Sequence, residues 1–142
     1  LCTLGTEVPD DGEWIELPIE QPNDLSVSSF TVTARVFHPR VADLRIELVA
    51  PDGVTSALLV DTIPCEGANI NALFVDSARW SVDDGCQEGF DAALDGTVAP
   101  SQPLSSLLSV STAGTWWLRI QDVQAGNAGT IDTWCITMHE GA

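Results

Sequence analysis

Apolar residues recur at every second position in five short runs of this chain, and Pro, Gly, Asn and Asp punctuate the intervals between them. A two-residue period throws alternate side chains to opposite faces of an extended backbone, so each run is a strand with one face to bury. Ile15, Leu17 and Ile19 alternate with Glu16, Pro18 and Glu20. Pro18 has no N–H to donate, which predicts an edge strand. Phe30, Val32, Ala34 and Val36 alternate with Ser29, Thr31, Thr33 and Arg35, whereas Leu25 and Val27 carry the opposite phase. That change of phase predicts a bulge or bend near Ser28. Leu44, Ile46, Leu48 and Ala50 lead into Pro51-Asp52-Gly53 and then the apolar run Ala57 to Val60, the composition of a hairpin. Trp116, Leu118 and Ile120 alternate with Trp117, Arg119 and Gln121, and Trp134, Ile136 and Met138 alternate with Cys135 and Thr137. Ala125 to Gly129 reads as a loop between these two strands. Only Leu104, Leu107 and Leu108 have helical spacing, enough for one turn. Short strands without a βαβ rhythm predict a two-sheet antiparallel sandwich.

A chain of 142 residues suffices for one domain with a sizeable core. No apolar run is long enough to span a bilayer, and no charged start followed by an apolar core marks a signal peptide. The chain does not begin with Met and reads as a fragment of a longer precursor. Its 21 acidic residues face five basic ones, all Arg, for a net charge of −16. Such a surface repels phosphate backbones and anionic lipid, which argues against nucleic acid and membrane as partners. It also keeps a secreted protein soluble as a monomer. The four cysteines have neither zinc-site nor Cys-x-x-Cys spacing and fit two disulfides in an oxidising compartment. Of three pairings, the favoured one joins Cys65 to Cys86, across the least regular loop, and Cys2 to Cys135, because sandwich termini often lie close together.

Three ordered blocks carry a family resemblance: Asp43 to Gly53, where Asp-Leu opens a strand that ends in Pro-x-Gly; Gly114 to Asp122, a Gly-x-Trp-x-Leu strand ending in Asp; and Gly129 to Ile136, with Trp five residues after Gly. From about Phe30 to Met138 the chain resembles the P domain of proprotein convertases. The resemblance implies an all-β, antiparallel jelly-roll β-sandwich over residues 14–142, with 1–13 as a lead-in segment. It implies a noncatalytic accessory domain of a secreted peptidase or exoprotein, packed against the neighbouring peptidase domain of its precursor. There it would stabilise that domain or assist its folding and its calcium or pH response. The rival reading is a substrate-targeting jelly roll that binds carbohydrate or protein, for which Trp14, Trp80 and Trp117 are the free aromatics.

Catalysis by this chain alone is not expected: no Ser stands in a nucleophile elbow, and the two His, His38 and His139, have no recognisable nucleophile beside them. His38 occupies a place where P domains often carry His, and reads as a locally hydrogen-bonded residue or else a metal or pH-sensing one. Asp43 and Asp122 match acidic family positions at strand boundaries, where a carboxylate fixes a turn by accepting backbone N–H bonds. Calcium is the candidate cofactor, since the segment from Asn69 to Asp95 is rich in carboxylate and amide oxygens and contains no Lys. Asp76, within a segment resembling the Phe-x-Asp-x-Ala of bacterial P domains, and Asp83 and Asp84 are the expected metal ligands. Trp116 and Trp134 fall on core faces, whereas Trp117 falls on the outer face and is the expected docking residue.

Overall fold

The structure, a computed structural model, describes residues 1–141. Ten strands follow one another among these residues: β1 (Cys2–Leu4), β2 (Glu7–Val8), β3 (Ile15–Gln21), β4 (Val27–Phe37), β5 (Leu44–Val49), β6 (Ser56–Asp61), β7 (Ile70–Phe74), β8 (Leu94–Val98), β9 (Gly114–Asp122) and β10 (Gly129–Glu140). They form a jelly-roll β-sandwich. One sheet runs β1-β10-β4-β7-β8 with β2 also paired to β10, and the other runs β3-β9-β5-β6. The described helical structure is two 3₁₀ turns, Val41–Asp43 and Leu104–Leu107, the second on the Leu spacing noted above. No helix among the described residues is long and apolar enough to cross a membrane.

The alternating patterns set the core. Phe30, Val32, Ala34 and Val36 of β4 face Trp116, Leu118 and Ile120 of β9 from the opposite sheet, and all are buried. The rings of Phe30 and Trp116 meet across the sandwich at 5.4 Å between centroids. Trp134 and Trp116 are fully buried, as their phase requires. β3 is an edge strand, so Pro18 withholds no ladder bond from a central partner.

Two bulges keep the faces in register along the β4–β10 pair. Ser29 pairs His139 and Val27 pairs Glu140, which leaves Ser28 as the extra residue where the phase of the sequence changes. Ile131 pairs Val36 and Thr133 pairs Arg35, leaving Asp132 extra. This second bulge lets Ile131 and Trp134, three apart in sequence, both point inward.

Two features depart from the sequence reading. Residues 1–13 do not stand off as a lead-in: β1 and β2 both pair with β10, and Val8 is fully buried. The sandwich is not wholly antiparallel either, because β7 and β8 run parallel. The connection between them, residues 75–93, is long enough to return to the same edge, as a parallel pair requires. Both disulfides have the expected partners, Cys2–Cys135 across the β1–β10 register and Cys65–Cys86, whose loop is more regular than expected because it contains β7.

Candidate functional site

Three polar side chains are buried together where the motif blocks meet. His38 follows the last residue of β4, Asp43 closes the 3₁₀ turn before β5, and Asp122 ends β9. The register places Asp122 opposite Leu44, beside Asp43. His38, Asp43 and Asp122 are each about 1% exposed, and their ligating atoms lie within 4.8 Å of one another. Pro39 holds His38 extended, directing the chain out of β4 into the turn.

The hydrogen bonds fix the protonation pattern. His38 Nδ1 accepts the Arg40 N–H at 3.0 Å, so the ring proton sits on Nε2, which donates to Asp122 Oδ2 at 2.8 Å. The other Asp122 oxygen accepts the Gln124 N–H at 3.2 Å. Asp43 accepts from the guanidinium of Arg40, which also forms a two-pronged pair with Glu66, both contacts at 2.8 Å. Glu66 and then Asp43 hold the Arg40 guanidinium above its already high ordinary pKa, and Arg40 in turn holds Glu66 below the usual carboxylate range. The backbone of His38 is clamped by Asn69, whose side-chain oxygen accepts the His38 N–H and whose N–H donates to the His38 carbonyl, both at 2.9 Å. Asn69 does this at φ 71°, a left-handed conformation that Asn tolerates better than most residues.

Motif glycines are part of the same construction. A Cβ on Gly129 would lie 2.3 Å from the Phe37 carbonyl oxygen and 2.9 Å from the His38 ring, so only glycine lets β10 start beside His38. Gly114, at φ +125°, packs against Pro51 of the Pro-x-Gly turn, where a Cβ would approach to 2.8 Å. The three blocks are therefore one structural unit.

Both ring nitrogens of His38 are engaged and its side chain is fully buried, so it offers no lone pair to a substrate. Here one oxygen of Asp43 is engaged by Arg40 and one oxygen of Asp122 by His38. The arrangement is a closed polar network that locks two sheets and a turn together. An open concavity of about 640 Å³ borders it, lined by Val8, Pro9, Phe37, His38, Pro39 and Gly129 among others.

The residues expected to hold calcium lie apart from this network and do not converge. Among the described residues, the group of three His, Cys, Asp or Glu side chains whose ligating atoms lie within 4.8 Å of one another is His38, Asp43 and Asp122. Asp76 instead accepts the backbone N–H groups of Leu104 and Ser105, at 2.7 and 2.8 Å, and so caps the second 3₁₀ turn. Asp84 accepts a long hydrogen bond from Ser81 and, like Asp83, is exposed. Calcium takes about six to eight oxygen ligands, and each Asp76 carboxylate oxygen already accepts one N–H bond.

Trp117 lies on the outer face of β9, half-buried, with Pro18 and Val49 as its neighbours in register. Trp14 is covered by the Arg119 guanidinium at 4.4 Å, whereas Trp80 is 55% exposed and borders a different concavity from Trp117. The three tryptophans thus do not share one platform.

Convergence of His38, Asp43 and Asp122 was not readable from the sequence, where each reads as a separate turn residue. The available signal was that all three stand at the edge of a strand with a buried apolar face.

A family model described as proprotein convertase P-domain matches residues 27–138. A transglutaminase-activating metalloprotease of Streptomyces mobaraensis is 29% identical over 136 residues, which make up 95% of this chain and 14% of that protein. The chain therefore spans only a small part of that relative. Among solved structures, the Aeromonas sobria serine protease in its chaperone complex superposes with a TM-score of 0.50 at 16% identity, covering 100% of this chain and 27% of that one. The A. sobria serine protease structure gives a TM-score of 0.51 at 16% identity, covering 96% and 26%. At such identity these two likenesses concern the fold alone.

Proposed function

The chain belongs to the proprotein convertase P-domain family, and from that premise we propose that it is a noncatalytic accessory domain that stabilises or assists a neighbouring peptidase domain of the same precursor. The observation that carries the reading is the match over residues 27–138, whose motif residues build a closed network rather than an open reactive centre. The relative from Streptomyces is by name a metalloprotease and the A. sobria neighbours are serine proteases. A domain that accompanies either chemistry fits a role in folding and stability better than a part in the bond-breaking step. Two disulfides suit a secreted protein, and the net charge of −16 suits a soluble monomer.

The mechanism is linkage. A domain that binds only the folded form of its neighbour stabilises it by RT ln(1 + [L]/Kd), and tethering in one chain sets [L]. An effective concentration of about 1 mM against a Kd of about 10 µM gives roughly 2.7 kcal/mol.

Trp117 is the proposed docking residue, because it is the large aromatic on the outer face of the central strand β9. In the isolated chain, Trp116→Ala should cost about 3–5 kcal/mol, the range for emptying a core aromatic site, and Trp117→Ala distinctly less. In the full-length precursor, Trp117→Ala should lower the melting temperature of the peptidase domain. An unchanged peptidase melting temperature would remove Trp117 from the docking face.

A further inference from the structure

We propose that the concavity between the 80–87 loop and β8 binds an arginine side chain displayed by a polypeptide partner. This site is separate from the accessory role and does not depend on it. Trp80, Asp84, Gln87, Asp95 and Thr97 line a recess of about 240 Å³. Asp95 and Thr97 flank Gly96, which has φ 84°, on the edge strand β8, and both line the recess. Trp80 is 55% exposed, and neither Asp84 nor Asp95 forms an ion pair among the described residues.

The chain itself shows what these groups accept. On the other sheet, Trp14, Glu16 and Glu47 surround Arg119: its guanidinium stacks on the indole at 4.4 Å, donates to Glu47 at 3.0 Å and lies 3.8 Å from Glu16. Trp80, Asp84 and Asp95 repeat that combination of one indole and two carboxylates without a guanidinium between the carboxylates. Arg79 reaches the Trp80 ring at 5.6 Å but pairs with neither carboxylate. A planar guanidinium can stack and donate in its plane at once, which a lysine ammonium cannot. The charge of −16 further favours a cationic partner over a neutral or anionic one.

The recess is held open by backbone and covalent bonds. Ala99 N–H donates to the Trp80 carbonyl and Val82 N–H to the Ala99 carbonyl, at 2.8 and 2.9 Å, pinning one end of the loop beside β8. At the other end Cys86 is bonded to Cys65, and Gln87 N–H donates to the Ala93 carbonyl at 2.7 Å. Such pinning limits the ordering cost of binding.

The test is titration of the ¹⁵N-labelled chain with acetyl-Gly-Arg-Gly-amide, its citrulline counterpart and maltose. The arginine peptide should shift the Trp80 indole N–H and the amides of Asp84, Gly85 and Asp95, and added salt should weaken the effect. Trp80→Ala and the double variant Asp84→Asn/Asp95→Asn should each weaken binding by about tenfold, with the remaining amide spectrum unchanged as the check on folding. Equal binding of the citrulline peptide, saturation of the same resonances by maltose, shifts located elsewhere or no shift with the arginine peptide would each overturn the proposal.

Discussion

At the scale of single residues, the bond between His38 and Asp122 holds the end of β4 against the end of β9. Removing either partner strands the other in the interior, and an unpaired buried polar or charged group is penalised more than a lost surface contact. His38→Ala and Asp122→Ala should therefore each cost about 3 kcal/mol or more, measured by denaturant unfolding. The double variant should cost less than the sum, because the second change removes a group that the first left unpaired. Strict additivity would show that the two side chains do not act as a pair. Gly129 belongs to the same locus, since any side chain there would press on the Phe37 carbonyl and the His38 ring.

At the scale of elements, carboxylates organise two of the turns. Asp52, in the turn between β5 and β6, accepts the N–H groups of Val54 and Thr55 and the Thr55 hydroxyl. The Thr55 hydroxyl, followed by the two N–H groups, holds its pKa below the ordinary carboxylate range. A carboxyl with a lowered folded-state pKa stabilises the fold above its unfolded pKa, and that contribution fades as pH falls through the folded value. Asp52→Asn should thus lower the melting temperature at pH 7, with the gap to the parent chain closing as the pH drops below about 4. A gap that stays constant with pH would mean that the charge is not what orders this turn. Asp76 plays the comparable part at the Leu104–Leu107 turn, and Asp76→Ala should cost about 1–2 kcal/mol equally in calcium and in chelator. A loss seen only in calcium would support the metal role expected for this residue. These elements also show what a sequence discloses. The phase change before Phe30 located the bulge at Ser28, and the missing donor of Pro18 located an edge, because both are local effects of a two-residue period. The parallel β7–β8 pair and the strands β1 and β2 were not legible: parallel pairing is decided by contacts remote in sequence, and strands of two or three residues are too short to display a period.

At the scale of the whole molecule, the two crosslinks and the buried network divide the work of holding a small sandwich closed. Cys2–Cys135 closes nearly the entire chain and Cys65–Cys86 a much shorter loop, with sequence separations of 133 and 21. By chain entropy they contribute about 5 and about 3 kcal/mol respectively. The family blocks were recognisable in the sequence, but the meeting of His38, Asp43 and Asp122 was not, because β9, which carries Asp122, is far in the chain from the turn that carries the other two. A domain closed in this way suits stabilising a neighbour, and a direct measurement of that role is calorimetry of the full-length precursor with and without residues 1–142. The accessory reading predicts that deletion lowers the melting temperature of the peptidase domain by about 5–10 °C, the shift that roughly 2.7 kcal/mol produces in a domain of ordinary size. An unchanged transition, with unchanged yield of folded peptidase, would contradict it.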